Sequence, residues 1–132
     1  MNLNQITLPS SNIASSRNFY LRMGFTLIVD SKEYLRFLCP DGDATFSLHL
    51  HDPNNTGGHN TSLVFFECED LDERVMRLQK QGFVFESGPD DQSWLWREAR
   101  LQDPDNNRLC LYRAGENRVN PPWRVNINNK DK

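Results

Sequence analysis

Apolar residues along this chain follow two rhythms, and the two appear twice in the same order. Gln5-Ile6-Thr7-Leu8 alternates polar and apolar positions, as a half-buried strand does. Ile13, Phe19, Tyr20 and Met23 then fall where a helix can lay one side on a sheet. Asn12 stands ready to cap the N-terminus of that helix, and Gly24 suits the left-handed position at its end. Leu63-Val64-Phe65-Phe66 opens a second copy, with Asp70 as its cap and Gly82 as its stop. There Leu71, Val75 and Leu78 make one buried stripe, while Glu69, Asp70, Asp72 and Glu73 gather where the helix dipole favours negative charge.

Residues 5–25 align with 63–83 without a gap, and the similarity continues beyond them. Phe37-Leu38-Cys39-Pro40-Asp41-Gly42 matches Leu101-Gln102-Asp103-Pro104-Asp105-Asn106, each a strand end running into a Pro-Asp turn. A further strand follows each turn, Thr45–Leu50 in the first half and Arg108–Tyr112 in the second. Each half therefore reads as strand, helix, then two or three strands.

Strand alternation assigns the faces. Ile6, Leu8, Phe46, Leu48, Leu50, Val64, Phe66, Cys68, Ala99, Leu101, Leu109 and Leu111 are expected against the helices. The other face then carries Gln5, Thr7, Thr45, Ser47, His49 and His51 in the first half. In the second half it carries Leu63, Phe65, Glu67, Trp96, Glu98, Arg100, Arg108, Cys110 and Tyr112. A curved sheet with such a mixed face is expected to wall a small-molecule cleft, with Gln5, Thr7, Ser47, His49, Leu63, Phe65, Trp96, Arg100, Cys110 and Tyr112 as its lining. Phe65 and Trp96 offer flat contact area to an apolar or aromatic ligand, or to an interface with a second subunit. Arg36 and Arg100 hold equivalent places in the two halves and could pair with an anionic ligand, or with Glu33 and Glu98.

Composition narrows the class without naming a ligand. Over 132 residues, 37% hydrophobic and 25% charged describe an ordinary soluble chain. A net charge of −3 with interleaved signs gives no basic face for nucleic acid. No apolar run approaches the roughly 20 residues that cross a bilayer, and Met1–Gln5 does not resemble a secretory signal. Cys39, Cys68 and Cys110 are widely spaced, without a CxxC pair, so neither disulfides nor a zinc site are expected. The two Asn-x-Ser/Thr patterns at Asn54 and Asn60 are read as chance, and the compartment is expected to be cytoplasmic.

The duplicated unit, with Arg17-Asn18-Phe19-Tyr20, Met23-Gly24-Phe25 and Asp103-Pro104-Asp105-Asn106-Asn107, resembles the vicinal oxygen chelate superfamily. That group holds glyoxalase I, the bleomycin-resistance proteins and the extradiol dioxygenases. The resemblance covers residue 3 to about 113. It implies an α+β fold of tandem βαβββ modules forming a curved mixed sheet around a cleft, helices outside, often in a homodimer. A single domain is expected over residues 1–113, with module one at about 3–52 and module two at about 61–113. Residues 114–132 form a C-terminal extension, in which Trp123 is expected to anchor onto the body or a second subunit. The last residues, from Asn126, are expected to be poorly ordered.

The resemblance also carries over four metal positions, namely Gln5, His49, Leu63 and Cys110. Leu63 offers no donor atom, and Cys110 could bind only as a thiolate and cannot replace a proton-abstracting carboxylate. His49 and His51 share a strand face and His59 sits in a Gly-rich loop, but an imidazole pair needs further ligands. Weak catalytic candidates are His49 and Cys110, the latter as a thiolate nucleophile. The expected function is therefore a small-molecule-binding protein with a degenerate metal site and no favoured cofactor. The alternative is a lyase, isomerase or dioxygenase using Ni, Zn, Mn or Fe held by Gln5, His49 and Cys110.

Overall fold

The computed structural model describes residues 1–51 and 60–125. Its elements run β1 (Gln5–Ser10), α1 (Ile13–Met23), β2 (Thr26–Asp30), β3 (Tyr34–Leu38) and β4 (Thr45–Leu50). There follow β5 (Leu63–Glu67), α2 (Leu71–Lys80), β6 (Ser87–Asp91), β7 (Arg97–Gln102) and β8 (Arg108–Arg113). A short 3-10 turn, Gly115–Asn117, begins the extension. The strands form two four-stranded sheets of the same order, β1-β4-β3-β2 and β5-β8-β7-β6. The expected α+β fold of tandem βαβββ modules is what the chain adopts. No helix among the described residues is long and apolar enough to cross a membrane.

Local signals account for the helices. The Asn12 side chain accepts from the Ser15 amide at 3.1 Å, and Gly24 takes φ 104°, which a side chain would resist. Asp70 departs from its expected role and makes no side-chain cap. Its carboxylate instead meets Arg74 at 3.3 Å and Arg77 at 3.0 Å, one and two helical turns on. The hydrogen bond from Arg77, with the charges of both arginines, holds it below its ordinary value. Along α2, Leu71, Val75 and Leu78 are buried as their spacing requires. In α1 the buried side is Ile13, Ser16, Tyr20 and Met23, with Phe19 only half-buried.

The chain divides into two units, one of Met1–Val64 with Leu101–Leu109, the other of Phe65–Arg100 with Cys110–Lys132. In the first, β1 lies parallel to β4 with Gln5 opposite Thr45, Thr7 opposite Ser47 and Pro9 opposite His49. β3 lies antiparallel to β4, setting Tyr34 against His49 and Arg36 against Ser47. Helix α1 packs on β3 and β4, and Tyr20, Phe25, Phe37 and Phe46 meet there with ring centroids 4.9–6.0 Å apart.

The turn at residues 103–107 joins this unit through a buried polar node. Tyr20 Oη donates to Asp103 Oδ2 at 2.7 Å, and Asn107 Nδ2 donates to the same oxygen at 2.8 Å and to the Pro9 carbonyl at 3.0 Å. Asp103 Oδ1 accepts from the Asp105 and Asn107 amides. Ser10 and Ser16, both fully buried, satisfy each other at 2.6 Å. In the second unit α2 packs on β6, and β6 pairs antiparallel with β7 across a register shift between Ser87 and Asp90.

Candidate functional site

The face of the first sheet turned from α1 carries a chain of polar side chains. Gln5 Nε2 donates to Ser47 Oγ at 2.9 Å and to Thr7 Oγ1 at 3.1 Å, while Thr45 Oγ1 donates to Gln5 Oε1. Ser47, fully buried beneath these partners, shares a 2.7 Å hydrogen bond with the Tyr34 hydroxyl. Arg36 Nε donates to that hydroxyl at 3.0 Å, and its guanidinium carbon lies 5.4 Å from the Tyr34 ring centre. Slight burial pushes the Tyr34 phenol up, but the bonds to Ser47 and Arg36 and the arginine's charge prevail and hold it below its ordinary value.

Strand register separates two residues that the metal reading paired. Gln5 sits opposite Thr45, whereas His49 sits opposite Pro9. At about 3.3 Å per residue this puts them roughly 13 Å apart along the strands. One ion with bonds of about 2.0–2.2 Å cannot take both. The positions beside Gln5 hold the hydroxyls of Thr45 and Ser47 instead. His49 is exposed, its ring 6.4 Å from that of Tyr34. His59 lies outside the described residues, and among those described no group of three or more His, Cys, Asp or Glu could hold an ion.

The corresponding face of the second unit is aromatic. Trp96 and Tyr112 stack with centroids 4.8 Å apart and planes 27° from parallel. Phe65 stands edge-on to both, at 5.6 and 5.4 Å. The Trp96 indole donates to the Asn117 carbonyl at 3.3 Å, tying the start of the extension to this cluster. Arg118 lies 3.9 Å from Glu67. Trp123, expected to anchor the extension, is 57% exposed within this chain. The double proline before it leaves the backbone no helix to carry that ring inward.

Glu98 was expected to face outward and is 2% exposed. The reason is its partners. Trp94 Nε1 donates to one carboxylate oxygen at 2.8 Å, and Arg100 donates to the other through Nη2 at 2.8 Å and Nε at 3.3 Å. Arg100 is thereby committed to Glu98. Cys110 and Tyr112 share this face but are buried rather than open. Burial, then the neighbouring Glu98 charge, pushes the Cys110 thiol up to about 12, against the opposing pull of Arg100. Such a thiol is neither a ready ligand nor a nucleophile at neutral pH. Leu63, half-buried at the start of β5, brings no donor.

The duplication that superposes Pro40 on Pro104 also places Tyr34 on Glu98 and Arg36 on Arg100. Sequence reasoning noted the two arginines but missed Tyr34. Extending the repeat three residues upstream of Phe37 would have found it.

With this fold and these faces described, comparison with known proteins decides the family. A model of the Glyoxalase/Bleomycin resistance protein/Dioxygenase superfamily matches residues 2–111. The chain belongs to that superfamily. Among solved structures, the superfamily fold recurs in TnmS3, an antibiotic binding protein from Streptomyces sp. CB03234. It is 26% identical, with TM-score 0.70, over 87% of this chain and 97% of that one. A bleomycin resistance determinant encoded on the transposon Tn5 is 23% identical, with TM-score 0.71, over 87% and 99%. A bleomycin-binding protein complexed with bleomycin is also 23% identical, with TM-score 0.69, over 86% and 98%. No curated protein sequence matches the chain. Of the four carried-over positions, His49 thus lies four residues along the strands from Gln5, Leu63 brings no donor atom, and Cys110 is buried.

Proposed function

We propose that this superfamily member is a small-molecule-binding protein of the antibiotic-sequestering kind, working without a metal ion. The observation that carries the reading is the Phe65–Trp96–Tyr112 cluster. A stacked Trp–Tyr pair with a perpendicular Phe supplies flat, stiff contact area at little cost in side-chain entropy. Phe65 remains 38% exposed, so part of that area is open to a partner. The occupant best suited to it carries a planar aromatic group. Support also comes from the donor set, since Gln5 with hydroxyl neighbours and a protonated Cys110 does not fit a divalent ion.

Isothermal titration with bleomycin and a panel of aromatic antibiotics tests the reading. Saturable binding by at least one compound, weakened tenfold or more in Trp96→Ala, is the expected result. No binding by any compound, or binding indifferent to the substitution, would overturn it. Elemental analysis after incubation with nickel, zinc, manganese and ferrous iron tests the metal-free part, which one retained ion per chain would sink.

We extend the proposal to a cytoplasmic homodimer. Free cysteines at positions 39, 68 and 110 suit a reducing compartment. Trp123 and Val125, at 57% and 69% exposed, are apolar groups a second copy could cover. Light scattering is expected to give twice the 15.4 kDa chain mass, and a monomer at micromolar concentration would remove the dimer.

A further inference from the structure

Arg36 and Arg100 are repeats of one position, yet their surroundings differ in charge. Arg100 is neutralised by Glu98, which it grips through two nitrogens. Arg36 has Tyr34 in the equivalent place, a neutral phenol that occupies Nε alone. Among the described residues Arg36 has no acidic partner; the neighbouring Glu33 does not pair with it. The phenol is itself held by Ser47, and Ser47 by Gln5, so the guanidinium is aimed by a chain of three side chains rooted in the sheet. Its guanidinium carbon, 5.4 Å from the Tyr34 ring centre, also lies within range of a cation–π attraction.

We propose that Arg36 anchors an oxyanion subsite on the open face of the first sheet, receiving a carboxylate or phosphate group end-on through Nη1 and Nη2. With Nε engaged, the two terminal nitrogens form the remaining fork, and that edge matches the two oxygens of a carboxylate or phosphate. An aimed and unpaired arginine loses less entropy on binding than a free one. Exposed His49, opposite Tyr34 in the register, is the adjacent polar group on this face. The subsite belongs to the first unit and the aromatic cluster to the second, and its failure would leave that reading intact.

The chain carries its own reporter. Of its three tyrosines, Tyr20 is raised well above the ordinary value, by burial and then by Asp103. Tyr112 is raised by burial and then by Glu67, and Tyr34 alone is lowered. The first phenolate to form on raising pH is therefore that of Tyr34. An anion on Arg36 offsets the charge that favours this phenolate.

Ultraviolet titration of the whole protein in sodium benzoate or inorganic phosphate, against sodium chloride at equal ionic strength, reads the effect. The first phenolate step is expected at higher pH with the oxyanion than with chloride. In Arg36→Gln the step should already be displaced upward and should no longer respond. Arg36→Lys, which keeps the charge but loses the fork, should retain the low step and respond more weakly. A response to benzoate alone assigns a carboxylate ligand, and a response to phosphate alone a phosphorylated one. No response to either, or an equal response in Arg36→Gln, overturns the subsite.

Discussion

The Tyr20 hydroxyl donates to the Asp103 carboxylate at 2.7 Å across 83 residues of sequence, both groups buried. This bond joins the first helix to the turn after β7, and with Asn107 it draws residues 101–109 into the first unit. Tyr20→Phe removes one donor from a buried carboxylate that retains Asn107. A loss of about 1–3 kcal/mol is expected, read by urea denaturation. A change below a few tenths would mean the node contributes nothing to folding.

Asp103 also gives a pH dependence of definite sign. Burial pushes its carboxyl above the ordinary value, against the hydrogen bonds from Asn107 and Tyr20. The folded chain then holds this proton more tightly than the unfolded one. Its contribution to stability is greatest below the unfolded carboxylate pKa and falls as pH rises through the raised folded value. Asp103→Asn abolishes the equilibrium. The stability of the unaltered protein minus that of the variant is expected to decline with pH over the mildly acidic range, and a rise would reverse the assignment.

The two repeated arginines should differ in what they contribute to folding. Arg100→Ala leaves the Glu98 carboxylate, 2% exposed, with Trp94 as its remaining donor. We expect a loss of about 1–3 kcal/mol, reduced from that of a fully buried pair because Arg100 is 36% exposed. Arg36→Ala uncovers no charge and leaves Tyr34 bonded to Ser47, so a change within about 0.5 kcal/mol is expected. Equal losses would contradict the contrast between the two sites.

Thiol labelling separates the three cysteines. Cys39 is half-buried, whereas Cys68 and Cys110 are 2% and 0% exposed. One thiol should react in the folded protein and two only on unfolding. In Glu98→Gln the Cys110 thiol should come down from about 12, because burial remains but the neighbouring charge is gone. Labelling of Cys110 as fast as Cys39 in the native protein would overturn its burial.

The Trp96–Tyr112 stack should be measurable by a double-mutant cycle. Trp96→Ala and Tyr112→Ala are expected to couple by about 0.5–1.5 kcal/mol. Additive effects would mean that the two rings merely share a surface.

The repeat, both helices, the Asn12 cap, the glycine stops and the apolar faces were legible in the sequence alone. Each rests on residues within a turn or a strand of one another, where spacing fixes geometry. The family followed from the same repeat and its Asp-Pro-Asp turn. Alternation also placed Gln5, Ser47, Phe65, Trp96 and Tyr112 on the correct faces. Alternation says nothing of which residue stands beside which across a sheet. Only the pairing of β1 with β4 set Gln5 beside Thr45 and Ser47 and removed His49 from its reach. Only tertiary packing brought Trp94 and Arg100 onto Glu98, buried Cys110, and, among the described residues, left Arg36 without a carboxylate. Asp70, with arginines on its own helix, preferred their charges to the cap its position suggested. Spacing along one strand or helix dictated the elements, and contacts between residues distant in sequence decided which charged side chains pair and which groups are buried.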